Sequence, residues 1–297
     1  MHRTQRSISF VGFLLASAAI GGLGAGCGYM DLEAARGNDS LLAVFQGPSP
    51  TRAAEWALDP YNPDNRYRGT LILANEPFGG EGPYIDLFVD ASDDVSANVR
   101  SAGVRGLANH GRPEHVAILI ERLDDETELV RLEAARGLQR LHNPIAIEPL
   151  IALLEQETDE VTRVQLLVEP NAEIRAAAAD ALGQYADRRV ISSLATALND
   201  ADLIVNRNAL SSLRTLTGQD FGMDPRGWLE WERTVTNPFE GRTAYTFPAF
   251  SRDRRLLEYI PIFPPPPNEA STTPIGMPPI GRERPPALAP EEEDSEG

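Results

Sequence analysis

The chain has 297 residues and no lysine. All 27 basic residues are arginine. That absence excludes a lysine nucleophile, a Schiff base and a phosphate-loop lysine. There is one cysteine, so no intramolecular disulfide can form. There are four histidines, and His2 falls in an N-terminal leader, which leaves His110, His115 and His142. No G-x-S-x-G or G-x-G-x-x-G context is present. Positive charge is scarce as well. The formal net charge is −17, and nucleic acid or an anionic lipid surface is a poor general partner for such a chain.

What is present begins with a leader. MHRTQR carries Arg3 and Arg6, and an uncharged apolar run follows to Gly26. A basic start, an apolar centre and small residues before a break describe a secretory signal. A spanning helix is the rival reading of Ile8 to Gly26, but glycine crowds its C-terminal half and weakens a helix. Loss of residues 1–26 removes two arginines and no acid, leaving a net charge of −19. The lone cysteine stands at the break, in Leu23-Gly24-Ala25-Gly26-Cys27. This stretch resembles the lipobox of bacterial lipoproteins, although that family usually places leucine where Gly24 stands. The resemblance implies that Cys27 is acylated (the diacylglycerol and palmitate type of anchor) and becomes the first mature residue. Gly28 follows where an inner-membrane retention signal has aspartate, which favours the outer membrane. Acyl chains supply about 0.8 kcal/mol per buried CH2, so the membrane contact is a tether and the remaining chain is expected to be soluble.

The middle of the chain repeats. VRSAGVRGL at 99–107, VRLEAARGL at 130–138, IRAAAADAL at 174–182 and VNRNALSSL at 205–213 align, with NRYRGTLIL at 65–73 as a looser copy. Their starts are 34, 31, 44 and 31 residues apart, a period that means stacked supersecondary units. Three columns run through the copies. The first holds Val99, Val130, Ile174 and Val205. Four residues on come Gly69, Gly103, Ala134, Ala178 and Ala209, and eight on come Leu73, Leu107, Leu138, Leu182 and Leu213. Such spacing places them on one helix face, where the small column admits a neighbouring helix and the leucines fill the core. The register continues past a short turn through Ile85, Leu119, Leu150 and Leu194, then Val89, Leu123, Leu154 and Leu198. Each unit therefore reads as helix, turn, helix, with glycine and proline marking turns such as GRP at 111–113.

Acids stand five residues before the first column, at Asp94, Asp125, Glu169 and Asp200. Arginines stand one residue after it, at Arg66, Arg100, Arg131 and Arg175, with Asn206 in the last copy. Acids there suit helix N-termini, and Asp and Arg of adjacent units are placed to pair along the stack. The pattern D-x4-V-R-x2-A/G-x3-L resembles HEAT repeats of the short bacterial kind, a group that includes phycobilisome-lyase-like proteins. The resemblance covers about 62–217 and implies an all-α solenoid of about five helix-turn-helix repeats.

The remaining segments follow from this core. Residues 27–61 read as a tether and N-terminal capping helix, with Ser49 as its cap and Trp56 as an apolar cover. Residues 218–236 read as a C-terminal cap carrying Trp228 and Trp231. Residues 237–260 hold Phe239, Tyr245, Phe247, Phe250 and Tyr259, too many aromatics for a bare linker. They either pack along the solenoid or form a motif for a partner. Residues 261–297 are proline-rich with an acidic end, which is the composition of a disordered tail. Between Leu154 and Ile174 lie 13 more residues than between Leu123 and Val130, so 155–173 holds an insertion. Its VQLLV either packs on the stack or meets a partner.

Functionally the residues favour a scaffold without catalytic activity that binds another envelope protein or peptide. No cofactor and no metal are expected, and no small-molecule substrate. The partner-binding residues are not given by the sequence. Second helices are expected to line the binding face, with Glu114, Arg122, Glu148, Arg188 and Arg189 among their exposed groups. His110 is expected to pack on its own unit's second helix. The alternative function is an enzyme or cofactor carrier of the lyase-like kind, using the repeat groove.

Overall fold

The computed structural model describes residues 49–155, 158–159, 164–165, 169–249 and 270–279. Contacts divide the chain into two units, 1–52 and 53–297. Of the first, only Ser49–Arg52 are described; the signal, Cys27 and most of the tether lie outside the described residues. The described residues contain eleven α-helices and one two-residue hairpin.

Five helix pairs make the solenoid. They are α2 (Pro63–Asn75) with α3 (Gly82–Ala91), α4 (Ala97–His110) with α5 (Val116–Glu121), α6 (Glu128–Gly137) with α7 (Ile147–Ala152), α8 (Ala172–Leu182) with α9 (Arg188–Ala197), and α10 (Leu203–Thr217) with α11 (Pro225–Thr234). The capping helix α1 (Pro50–Ala57) precedes them. Helix starts follow local chemistry. Asn62 accepts from the N–H groups of Asp64 and Asn65, Asn171 from those of Glu173 and Ile174, and Asp224 from that of Arg226. Proline takes the first helical position at Pro63 and Pro225, where no donor is needed. Helix α10 ends at Gly218 with φ +69°, a left-handed backbone that glycine adopts without steric cost.

The columns are the core. The first column and all five leucines at its eighth place are buried, as are Leu119, Leu150 and Leu194. The small column permits close packing: a Cβ on Gly69 would strike the backbone of Ala53 and Ala57, and one on Gly103 the backbone at Phe88 to Ser92. At the far end Trp228 is fully buried, donates to the Gly222 carbonyl at 2.9 Å and meets Phe221 and Trp231 edge-on, while Phe221 and Trp231 meet each other tilted. These tryptophans cap the stack.

Acid and arginine columns join into a continuous staple. Arg66 bonds Asp94, Arg100 bonds Asp125, Arg131 bonds Glu169 and Arg175 bonds Asp200, each through Nε and Nη2 to both carboxylate oxygens at 2.7–3.2 Å. Each arginine also donates Nη1 to the backbone of the loop before its own helix, at Asp59, Asp94, Asp125 and Glu169. The acids accept the N–H two residues on, which shapes the loop between units. Burial pushes the Asp94, Asp125 and Asp200 carboxyls up, but their arginine and N–H donors outweigh it and hold all three below the usual range.

The chain does not leave the stack after α11. Residues 237–249 turn back across the ends of the first helices, and residues 270–279 continue alongside as a strap. Ten residues of the stretch read as a disordered tail thus have a defined seat. For 237–249 the packed alternative is the one observed, with Tyr245 and Phe247 only 4% and 8% exposed. Phe250 and Tyr259 lie outside the described residues. Within the insertion Thr158–Asp159 pair antiparallel with Val164–Gln165; Leu166, Leu167 and Val168 lie outside the described residues.

Candidate functional site: a polar cleft on the first-helix face

A cleft of about 650 Å3 opens over α4, α6, α8 and α10, with Asn75 at one end and Pro248 of the strap on its rim. It lies on the first helices, whereas the expected binding face is that of the second helices. On the second helices the charged groups pair with one another, with adjoining loops and with the cap. Arg122 pairs with Asp93 and Glu121, Arg189 with Glu148 and Asp187, and Glu114 approaches Arg112 at 3.9 Å. Arg188 bonds the Glu232 carboxylate and the carbonyls of Glu232, Val235 and Thr236, closing the end of α11.

The cleft's centre is Glu133. Its side chain is 8% exposed and both oxygens accept from Arg105, at 2.5 and 3.1 Å. Arg136 stands 3.9 Å away and reaches Glu173 of the next unit at 3.6 Å. Helix spacing explains the set. Arg105 and Arg136 occupy the same place in successive copies, six residues past the first column, so their guanidiniums project from adjacent helices onto one surface.

Side-chain amides fix the floor. Asn109 donates to the Ala74 carbonyl, Gln139 to Ala177 and Asn208 to Ala176, at 2.9–3.1 Å. Each ties one first helix to its neighbour, so the cleft rests on a rigid base. Three guanidiniums (with Arg140) and two carboxylates line it, beside the half-exposed Ile204. This is a mixed-charge, partly apolar surface suited to a polar peptide.

The histidines do not converge. His110 donates Nε2–H to the Ala74 carbonyl at 3.1 Å and stacks on Phe88 of the preceding unit, not on its own second helix. Asn109, the residue before it, also reaches back to the Ala74 carbonyl. Nδ1 of His115 accepts from the Arg112 N–H. His142 stacks on Tyr185 at 4.9 Å and meets Gln184. Burial lowers both His110 and His142. Among the described residues no three His, Cys, Asp or Glu are grouped as metal ligands. No described helix is long and apolar enough to cross a membrane.

Beside the cleft the strap covers a second constellation that the sequence did not reveal. Tyr245 donates its hydroxyl to Asp180 at 3.0 Å. Burial raises the Asp180 carboxyl to about 6, a rise that the tyrosine hydrogen bond only partly offsets. Arg140 lies 4.7 Å from the centre of the Phe247 ring. The signal that could have located it was the excess of aromatics after α11.

The HEAT repeats family description matches residues 85–167 and 162–222, in agreement with the five stacked pairs. The described residues form a stack of helical repeats, and HEAT repeats match within it. Among solved structures it is similar to the complex of CpcE and CpcF of phycocyanin lyase from Nostoc sp. PCC7120, at 22% identity over 57% of this chain and 77% of that one, with a TM-score of 0.39. It is also similar to a designed armadillo repeat protein in complex with the peptide (KR)4, at 18% identity, 63% and 88% coverage and a TM-score of 0.44. A further designed armadillo repeat protein shares 17% identity over 65% of this chain and 94% of that chain, with a TM-score of 0.43. No curated protein matches the chain.

Proposed function

We propose that the protein is an exported, lipid-anchored scaffold of the cell envelope that holds another protein or peptide in the first-helix cleft and catalyses no reaction. The observation that carries the binding half is the cleft itself: a rigid floor of amide ties beneath exposed guanidinium, carboxylate and apolar groups. Such a surface reads a partner by charge and shape. The non-catalytic half is supported by how the cleft's acids are used. Glu133 and Glu173 are both engaged by arginine.

The anchor rests on Leu23 to Cys27 and its lipobox resemblance. The outer membrane is the favoured destination. Two measurements test the two halves separately. Mass analysis of the mature N-terminal peptide is expected to show acyl chains on Cys27; an unmodified cysteine contradicts the anchor. Arg136→Glu reverses a half-exposed charge in the cleft and is expected to reduce partner recovery at least tenfold, while the circular dichroism melt stays close to wild type. Unchanged recovery contradicts the cleft.

A further inference from the structure

The first helices end along one edge of the stack, and their last carbonyls have no partner within the helix. Three of these ends are satisfied by the strap. The Thr243 N–H donates to Thr215 at the end of α10, at 2.8 Å. Arg242 donates to Gln184 beyond α8, at 2.6 Å. The Ile275 N–H donates to Arg140 beyond α6, at 2.8 Å, and the Ile275 carbonyl accepts from His142. Between these bonds Tyr245 reaches down to Asp180, and Phe247 lies against Arg140. The strap is thus an extended peptide seated in a lane of helix C-termini.

Most of this seat is indifferent to the strap's sequence. Main-chain donors fit helix-end carbonyls whatever the side chains. Three side chains are read closely: the Arg242 guanidinium by the Gln184 carbonyl, the Tyr245 phenol by the Asp180 carboxylate and, two residues on, the Phe247 ring by a guanidinium. The strap is also lightly held in its second piece. Residues 270–279 are joined to the solenoid edge by the Ile275 ladder, and Ile275 itself is 48% exposed. Tyr245 lies against Asp180, whose burial in the packed chain penalises the ionised carboxylate. Segments held this way belong to the low-stability end of local opening.

We propose that this lane is a second docking surface, which accepts from another protein an extended segment with a Tyr-x-Phe core, and that the strap is its occupant in cis. The lane adjoins the cleft, sharing Arg140 and the rim at Pro248, but its tyrosine seat at Asp180 is not part of the cleft lining, and each reading can fail without the other.

The test uses the full chain and a labelled peptide with the sequence of residues 239–249. Tyr245→Ala with Phe247→Ala loosens the strap. Fluorescence anisotropy is expected to show this variant binding the peptide at least tenfold more tightly than wild type. Adding Asp180→Ala, or replacing the peptide's own tyrosine with alanine, is expected to remove that gain. Arg136→Glu, which alters the cleft, is expected to leave peptide binding within twofold. A folded, loosened chain that does not bind the peptide overturns the proposal, and so does binding lost through Arg136→Glu. Should the loosened chain fail to fold, hydrogen exchange on wild type decides instead. Excess peptide is expected to deprotect the amides of Thr243 and Phe247, and unchanged protection overturns the proposal.

Discussion

Arg100 shows how much one residue does in this fold. It donates to the carboxylates of Asp125 and Glu126 and to the carbonyls of Asp94 and Val95, with its side chain 9% exposed and that of Asp125 5%. Removing one partner of such a buried pair strands the other. Arg100→Ala is therefore expected to cost about 3–5 kcal/mol in denaturant unfolding, and a loss below about 1 kcal/mol would contradict the staple. The pairing was legible in the sequence because acid and arginine recur at fixed places in each copy. The further bonds to loop carbonyls were not, since any backbone carbonyl looks the same in sequence. Glu133 was hidden for a related reason: it has no counterpart in the other copies, so no column pointed to it.

At the scale of elements, periodicity carried most of the reading. Gly and Ala four residues past the first column, and leucine eight past it, located the first helices and their packing faces. The turns followed from proline. The strap escaped because its fold has no period: its backbone is paired to helix ends and, at Phe247 and Thr272, between its own two pieces, and its proline content resembles that of an unstructured segment. Its seat has a testable pH dependence. Burial raises Asp180 in the packed chain, where the strap's Tyr245 lies against it, so its protonated form favours that packed state over the unfolded chain. That contribution is complete below the ordinary aspartate range and is lost as pH rises through about 6. The full swing is roughly 3 kcal/mol for a rise of this size. Facing Asp180 are the phenol of Tyr245 and, behind that, Tyr185, neither charged in this range; Arg242 and His142 lie at the neighbouring helix end. Hydrogen exchange at Thr243 and Phe247 is expected to show weaker protection at pH 7.5 than at pH 5, after correction for intrinsic rates. Asp180→Asn keeps an acceptor without the charge and is expected to flatten the difference. Equal pH dependence in both proteins would contradict the assignment to Asp180.

For the whole molecule, repeat number and direction of stacking were readable, and the cleft's side was not. Which face of a solenoid stays open depends on how second-helix charges pair with one another and where the strap returns. Both are long-range outcomes that no local pattern records. The described residues form stacked helix pairs with a polar cleft on the first helices, and the lipid anchor at Cys27 is the proposed tether. The most direct test places a photo-crosslinking residue at Ala176 in the cleft, and in a second protein at Glu148 on α7, and identifies the peptides captured from solubilised membranes. The account predicts one protein's peptides from Ala176, lost on Arg136→Glu and absent from Glu148. Capture of the same set from both positions, or from Glu148 alone, would contradict it.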